Sequence, residues 1–155
     1  MEEKITIKES CVKYHIVETD CQKVLRMLTE MLAEQGYVDP EYADKVCERE
    51  ANYPTGLQFE HIAIAIPHGE AGCVKESAIA IGKCESKVLF RKMDDPDEEI
   101  SVELVVLLAV KNPESHIDVL GNLIAMFSDE EICKQMLQAD EREICTIFEK
   151  NLYVK

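Results

Sequence analysis

The chain has 155 residues, 46% of them hydrophobic and 31% charged, with 31 acidic against 17 basic side chains and a formal net charge of −14. That length suits one domain able to bury a core without staples, and the acidity excludes nucleic acid and anionic membrane surfaces as partners, since both demand clustered Lys and Arg. The seven cysteines, at 11, 21, 47, 73, 84, 133 and 145, form no C-x-x-C pair and read as mostly buried free thiols of a reducing cytoplasm, not as zinc or redox sites.

Met1–Ile16 alternates briefly at Ile5 and Ile7 and reads as a first strand or as an attached arm. Thr19 with Gln22 resembles a capping box. Val24, Leu25, Leu28, Met31 and Leu32 then recur at helical spacing up to Gly36, which predicts an amphipathic helix over 20–35. Asp39-Pro40 supplies an N-cap and a first-turn proline. A second helix should follow to about Asn52, burying Tyr42, Ala43, Val46 and Cys47, with Arg49 near its end at the edge of the buried face. Tyr53-Pro54-Thr55-Gly56 is a turn by composition.

Ile62–Gly69 reads I-A-I-A-I-P-H-G. This is a short buried strand halted by a proline that has no N–H to donate. His68 stands at its carboxyl end, where open α/β sheets place ligands, and Gly69 leaves room near the backbone. Ala78–Cys84 predicts a further strand and Val88–Phe90 another. Asp94–Glu99 is a solvated acidic turn without the ligand pattern of an EF-hand. Ile100–Val110, with an almost uninterrupted apolar end, reads as a central strand buried on both faces, and its apolar run Leu104–Val110 is too short to cross a bilayer.

Asn112-Pro113 opens a helix that carries His116, Leu120, Leu123 and Phe127 on one face. Ser128–Glu131 and Asp140–Glu143 look like capping boxes of two short helices, with apolar faces at Ile132, Met136 and Leu137 and at Ile144, Ile147 and Phe148. Neither a repeat nor a linker interrupts this alternation. The expectation is a single α/β domain over 1–155, a layered sandwich with a mixed β-sheet flanked by helices on both faces. No signal peptide or membrane segment is recognisable, so a cytoplasmic, stand-alone protein without direct membrane insertion is expected.

His68 and His116 each follow a strand. If those strands are parallel neighbours, both histidines open on one crevice; antiparallel neighbours would put them at opposite edges. A helix start beside His116 suits an anion, phosphate above all, and Arg49 could add charge-assisted hydrogen bonds. A neutral imidazole is itself a nucleophile for phosphorus. Zinc hydrolysis lacks a third ligand, because His15 and His61 have no ligand-like spacing, and His61 reads as a strand-start or surface residue. Serine-hydrolase and P-loop motifs are missing, and no cofactor or metal is implied.

The runs T-G-L at 55–57, A-I-P-H-G-E at 65–70 and L-L-A-V-K-N-P-E-S-H at 107–116 resemble the enzyme IIA domains of the fructose/mannitol class. These belong to the bacterial phosphoenolpyruvate-dependent sugar phosphotransferase system, and the resemblance covers about residues 20 to 150. The spelling E-R-E-A-N-Y-P-T-G-L looks most like the galactitol-specific branch. The resemblance implies a mixed sheet between helices and a phosphocarrier. His68, through Nε2, would accept a phosphoryl group from HPr and pass it to a cysteine of enzyme IIB, and so towards the membrane component IIC. His116 would orient the phosphate, and Arg49 would stabilise it or dock a partner. Leu57, Phe59 and Ile117 are candidates for an apolar docking ring, with a core role as an equal alternative. The competing readings are a nitrogen-type regulatory relative, which binds partners according to its phosphorylation state, and a binding domain with structural histidines.

Overall fold

The structure, a computed structural model, describes residues 5–152. Its elements in chain order are β1 (Val12–Ile16), α1 (Cys21–Glu34), α2 (Tyr42–Asn52), β2 (Gly56–Gln58), β3 (Ala63–Ala65), β4 (Ala78–Arg91), β5 (Glu99–Ala109), α3 (Pro113–Phe127), α4 (Glu130–Gln138) and α5 (Glu141–Leu152). The strands form a mixed sheet in the order β1-β4-β5-β3-β2. β1 runs parallel to β4 and β3 parallel to β5, whereas the β4–β5 and β2–β3 pairs are antiparallel.

The unbroken apolar run in β5 is explained by its central place. Residues 104–109 are fully buried, and their alternation divides them between two cores. Leu104, Val106 and Leu108 pack under α3, α4 and α5 with Leu123, Phe127, Met136 and Phe148. Val105, Leu107 and Ala109 face α1 and α2 with Leu25, Leu28, Tyr42 and Val46. Helices therefore cover both sheet faces, as expected. Truncating fully buried Leu107 to alanine should cost about 2–5 kcal/mol. Urea unfolding should show this as a lower midpoint at unchanged slope.

Several local expectations are corrected. The cap of α1 is Asp20, not Thr19: its carboxylate accepts the N–H groups of Gln22 and Lys23 at 2.9 and 3.2 Å. Asp129, not Ser128, caps α4 by accepting from Ile132. The second helix starts at Tyr42, because Asp39 and Pro40 form a turn in which the Asp39 carbonyl accepts from the Tyr42 N–H. At α5 the reciprocal capping box is present, with Glu143 N–H donating to Asp140 and Asp140 N–H to Glu143.

The strands expected at 78–84 and 88–90 are one strand, β4, whose register shifts between Lys83 and Val88. β2 begins at the last residue of the expected turn and pairs with β3 as a short hairpin. Leu137 is 37% exposed rather than on the buried face of α4. The N-terminal alternative resolves into a strand: β1 is an edge strand, and Ile5 and Ile7 are buried beside it. Residues 1–4 of that expected segment lie outside the described residues. All seven cysteines are free thiols, five of them buried. Among the described residues, no helix is long and apolar enough to cross a membrane.

Candidate active site

β3 and β5 are parallel neighbours, so both deliver their carboxyl ends to the same edge of the sheet. Beyond β3 the chain stays on β5: Leu108 N–H donates to the Pro67 carbonyl at 2.9 Å, and His68 bridges Leu108. β5 then turns into α3, whose N-cap Asn112 accepts from Glu114 N–H at 2.9 Å and whose first turn includes Pro113. The two histidines thereby meet, with ring centroids 4.4 Å apart and planes at 60°.

α2 brings in the third group. Arg49 lies in its last turn, and its Nε–H donates to His68 Nε2 at 3.0 Å. Tyr42, two turns earlier on the same helix, accepts from Gly69 N–H and donates to the Leu108 carbonyl, each at 2.9 Å. That hydroxyl staples the His68 loop to β5. A Cβ at Gly69 would lie 2.9 Å from the Tyr42 ring, so the close approach requires glycine.

The hydrogen bonds assign the His68 tautomer. Nδ1 lies 3.1 Å from the Ile66 carbonyl, which only accepts, so Nδ1 carries the proton. Nε2 faces a guanidinium, which only donates, so it presents its lone pair. Burial, with smaller contributions from His116 and Arg49, lowers the His68 pKa to about 4 against the raising effect of the Ile66 hydrogen bond. Burial and Arg49 lower that of His116 as well. Two neutral imidazoles and one fixed cation make a site with net positive charge, suited to an anion. His116 Nε2 is buried and has no hydrogen-bond partner among the described residues, which leaves a ring nitrogen beside His68 open to an incoming polar group.

The lowered His68 pKa makes a checkable statement. Because the folded value lies below the ordinary 6.5, the unfolded chain takes up this proton first as pH falls. The stability linked to His68 is therefore lost between 6.5 and about 4. An NMR titration of the His68 ring should have its midpoint near 4, and His68→Gln should flatten that part of the stability curve.

The other candidates lie apart from this chemistry. His61 precedes β3 at the strand's opposite end, near Glu60 and Glu130. His15 is in β1 and contacts Glu85. The acidic turn is held through Lys92, whose ammonium lies within 4 Å of Asp94 and Glu98. Of the expected apolar ring, Ile117 is 71% exposed, whereas Leu57 and Phe59 are half-buried against the core and Phe59 packs on Phe127. Sequence reasoning missed Tyr53, exposed beneath the Arg49 guanidinium at 5.4 Å, because Y-P-T-G reads only as a turn. It also missed the buried Glu50, since a carboxylate next to Arg49 looks like one more solvated charge. Asp39, Glu41 and Cys73 place ligand atoms within 4.8 Å of one another, but Asp39 is engaged by Lys75, and exposed carboxylates beside a thiol are ordinary.

A family model described as "Phosphoenolpyruvate-dependent sugar phosphotransferase system, EIIA 2" matches residues 6–151. The galactitol-specific EIIA component of Escherichia coli (strain K12) is 32% identical over 139 residues, covering 90% of this chain and 92% of the relative. The mannitol-specific enzyme IIA component of Geobacillus stearothermophilus is 34% identical over 144 residues, with the same two coverages. Among solved structures, the Escherichia coli complex of enzyme IIAMTL with phosphorylated enzyme IIBMTL matches with a TM-score of 0.78 at 23% identity, over 95% of this chain and 99% of that one. With the sheet, the helical layers and most of the chain's length agreeing, this protein belongs to the EIIA 2 family of the sugar phosphotransferase system, in the fructose/mannitol class and close to its galactitol-specific members.

Proposed function

We propose that this chain is a phosphohistidine phosphocarrier, taking a phosphoryl group from HPr on His68 Nε2 and passing it to a cysteine of an enzyme IIB. The observation that carries the reading is the state of His68: a neutral ring with Nδ1–H tied to the Ile66 carbonyl and the Nε2 lone pair turned toward Arg49. In the forward step the Nε2 lone pair forms the bond to phosphorus. The bond between phosphorus and its donor breaks, and that electron pair leaves with the donor. Arg49 gives up its bond to Nε2 as phosphorus arrives, and its donors turn to the phosphoryl oxygens. His116 Nε2, carrying a proton, donates to another oxygen. In the onward step a partner thiolate attacks phosphorus and the electron pair returns to Nε2.

Exposed Ile117, next to His116 on α3, and exposed Tyr53, beneath the Arg49 guanidinium, supply apolar surface for partners that must dock and leave. A small interface below about 1,200 Å² suits such transient contacts. The relative enzyme IIAMTL, solved with phosphorylated enzyme IIBMTL, supports a IIB partner here. The galactitol-specific relative supports galactitol or a related sugar as the transported substrate.

Incubation with phosphoenolpyruvate, enzyme I and HPr tests the reading. One phosphoryl group per chain is expected, stable to base and labile to acid, and absence of label would remove the proposal. Loss of galactitol uptake on gene deletion is the expected result for transport. Unchanged uptake of every hexitol and ketose, with label present, would instead favour the nitrogen-type regulatory role.

A further inference from the structure

Glu50 follows Arg49 on α2 and is only 6% exposed, yet it is a carboxylate. Both of its oxygens are taken by one residue: Thr55 N–H donates to Oε2 at 2.8 Å and the Thr55 hydroxyl to Oε1 at 2.7 Å. The same hydroxyl accepts from Ile66 N–H at 3.1 Å, and the Thr55 carbonyl lies 3.3 Å from that N–H. Ile66 in turn offers its own carbonyl to His68 Nδ1–H. Hydrogen bonds thus link the Glu50 carboxylate through Thr55 to the Ile66 N–H, and the Ile66 backbone carries the link on to the carbonyl that holds the side of the imidazole opposite Arg49.

We propose that Glu50 is a positioning residue for His68, acting through Thr55 and Ile66 to hold the ring in the tautomer that leaves Nε2 free to attack. The proposal deepens the phosphocarrier reading and rests on it for its purpose. The end of α2 becomes a two-armed clamp: Arg49 addresses Nε2 directly, and Glu50 addresses Nδ1 at second hand. The Nδ1 arm matters because Nε2 loses its lone pair to phosphorus. The ring then carries positive charge, which a fixed carbonyl on Nδ1–H stabilises.

The cost of this arrangement is visible. Burial pushes the Glu50 carboxyl up to about 7, although the hydrogen bonds from Thr55 and the charges of Arg91 and Arg49 draw it down. A turn between a helix and a two-stranded hairpin has no need of a desolvated carboxylate, and an apolar side chain of similar volume would serve packing at least as well. Perturbed, buried carboxyls beside a reactive group are characteristic of functional sites. Both donors of Thr55 and the N–H of Ile66 are committed to this one clasp, so its loss is felt at the ring rather than absorbed at the surface.

The test reads the ring itself. Histidine is labelled with 15N in the whole chain, and the His68 tautomer is read by NMR at mildly alkaline pH. The comparison covers the wild type, Glu50→Gln, Thr55→Val and Thr55→Ser. The wild type should hold His68 in the Nδ1–H form. Glu50→Gln and Thr55→Val should lower the ratio of Nδ1–H to Nε2–H by about fivefold, the worth of one ordinary hydrogen bond. Thr55→Ser, which keeps the hydroxyl, should restore the ratio.

An unchanged ratio in both Glu50→Gln and Thr55→Val overturns the proposal, as does failure of Thr55→Ser to restore it. If Glu50→Gln does not fold, Thr55→Val reads the same arm. Collapse of both would make the clasp structural only and would also overturn it. The tautomer is measured without a phosphoryl donor, so the two readings fail separately. A tautomer shift in a chain that takes no label defeats the phosphocarrier, whereas label with an unmoved tautomer defeats the role of Glu50.

Discussion

His68→Ala should abolish phosphorylation from HPr altogether, with the fold intact. The ring is half-buried at the end of β3 and holds no core volume comparable to Leu107 or Phe127, so its removal leaves the two cores untouched. What disappears is the Nε2 lone pair that the hydrogen bonds of Nδ1 and Arg49 present to an incoming phosphorus. A loss of this kind is not a reduction in rate, because no nearby group replaces a covalent nucleophile. The measurement is radiolabel or mass increase per chain after exposure to the donor system, with thermal unfolding as the control. Label surviving in His68→Ala would move the nucleophile elsewhere, to His116 first, since its ring lies only 4.4 Å away.

The second large effect concerns His116. His116→Ala should still be phosphorylated but should pass the group on about 100-fold more slowly, the usual cost of removing one preorganised donor to a developing oxyanion. The ring sits in the first turns of α3 with a buried Nε2 that no described residue satisfies, so it contributes little to folding that alanine would lose. Single-turnover transfer from the phosphorylated chain to enzyme IIB is the measurement. Loss of folding in place of slowed transfer would mark the histidine as structural, and unchanged onward transfer would remove its phosphate-orienting role.

Elements with many independent local cues were legible in the sequence. β5 announced itself through a run in which both faces are apolar, and α3 through Asn112, Pro113 and a stripe at helical spacing. Helix ends were less secure. At α1 two neighbouring acids divide the work: Glu18 accepts the N–H groups of Thr19 and Asp20, whereas Asp20 accepts those of Gln22 and Lys23, and the run E-T-D does not by itself say which side chain caps the helix. The fusion of two expected strands into β4 was hidden because its bulge interrupts the period of two that identifies a strand. β2 was hidden by brevity: three residues beside a Pro-Thr-Gly turn carry no periodicity, and only pairing with β3 makes them a strand.

For the site, residue identity alone nominated His68, His116 and Arg49, because proline, glycine, asparagine and the helix stripe speak through local sterics and hydrogen bonding that operate over a few residues. The direction of β3 relative to β5 was decided only in three dimensions. Without the parallel pairing the two histidines would stand at opposite edges of the sheet. The tautomer of His68, its lowered proton affinity and the Glu50–Thr55 clasp behind it belong to that same level. The contacts themselves include short-range ones, Ile66 to His68 and Glu50 to Thr55, but the burial around them and the approach of Arg49 to His68 come from packing between elements, and no local pattern encodes a desolvation.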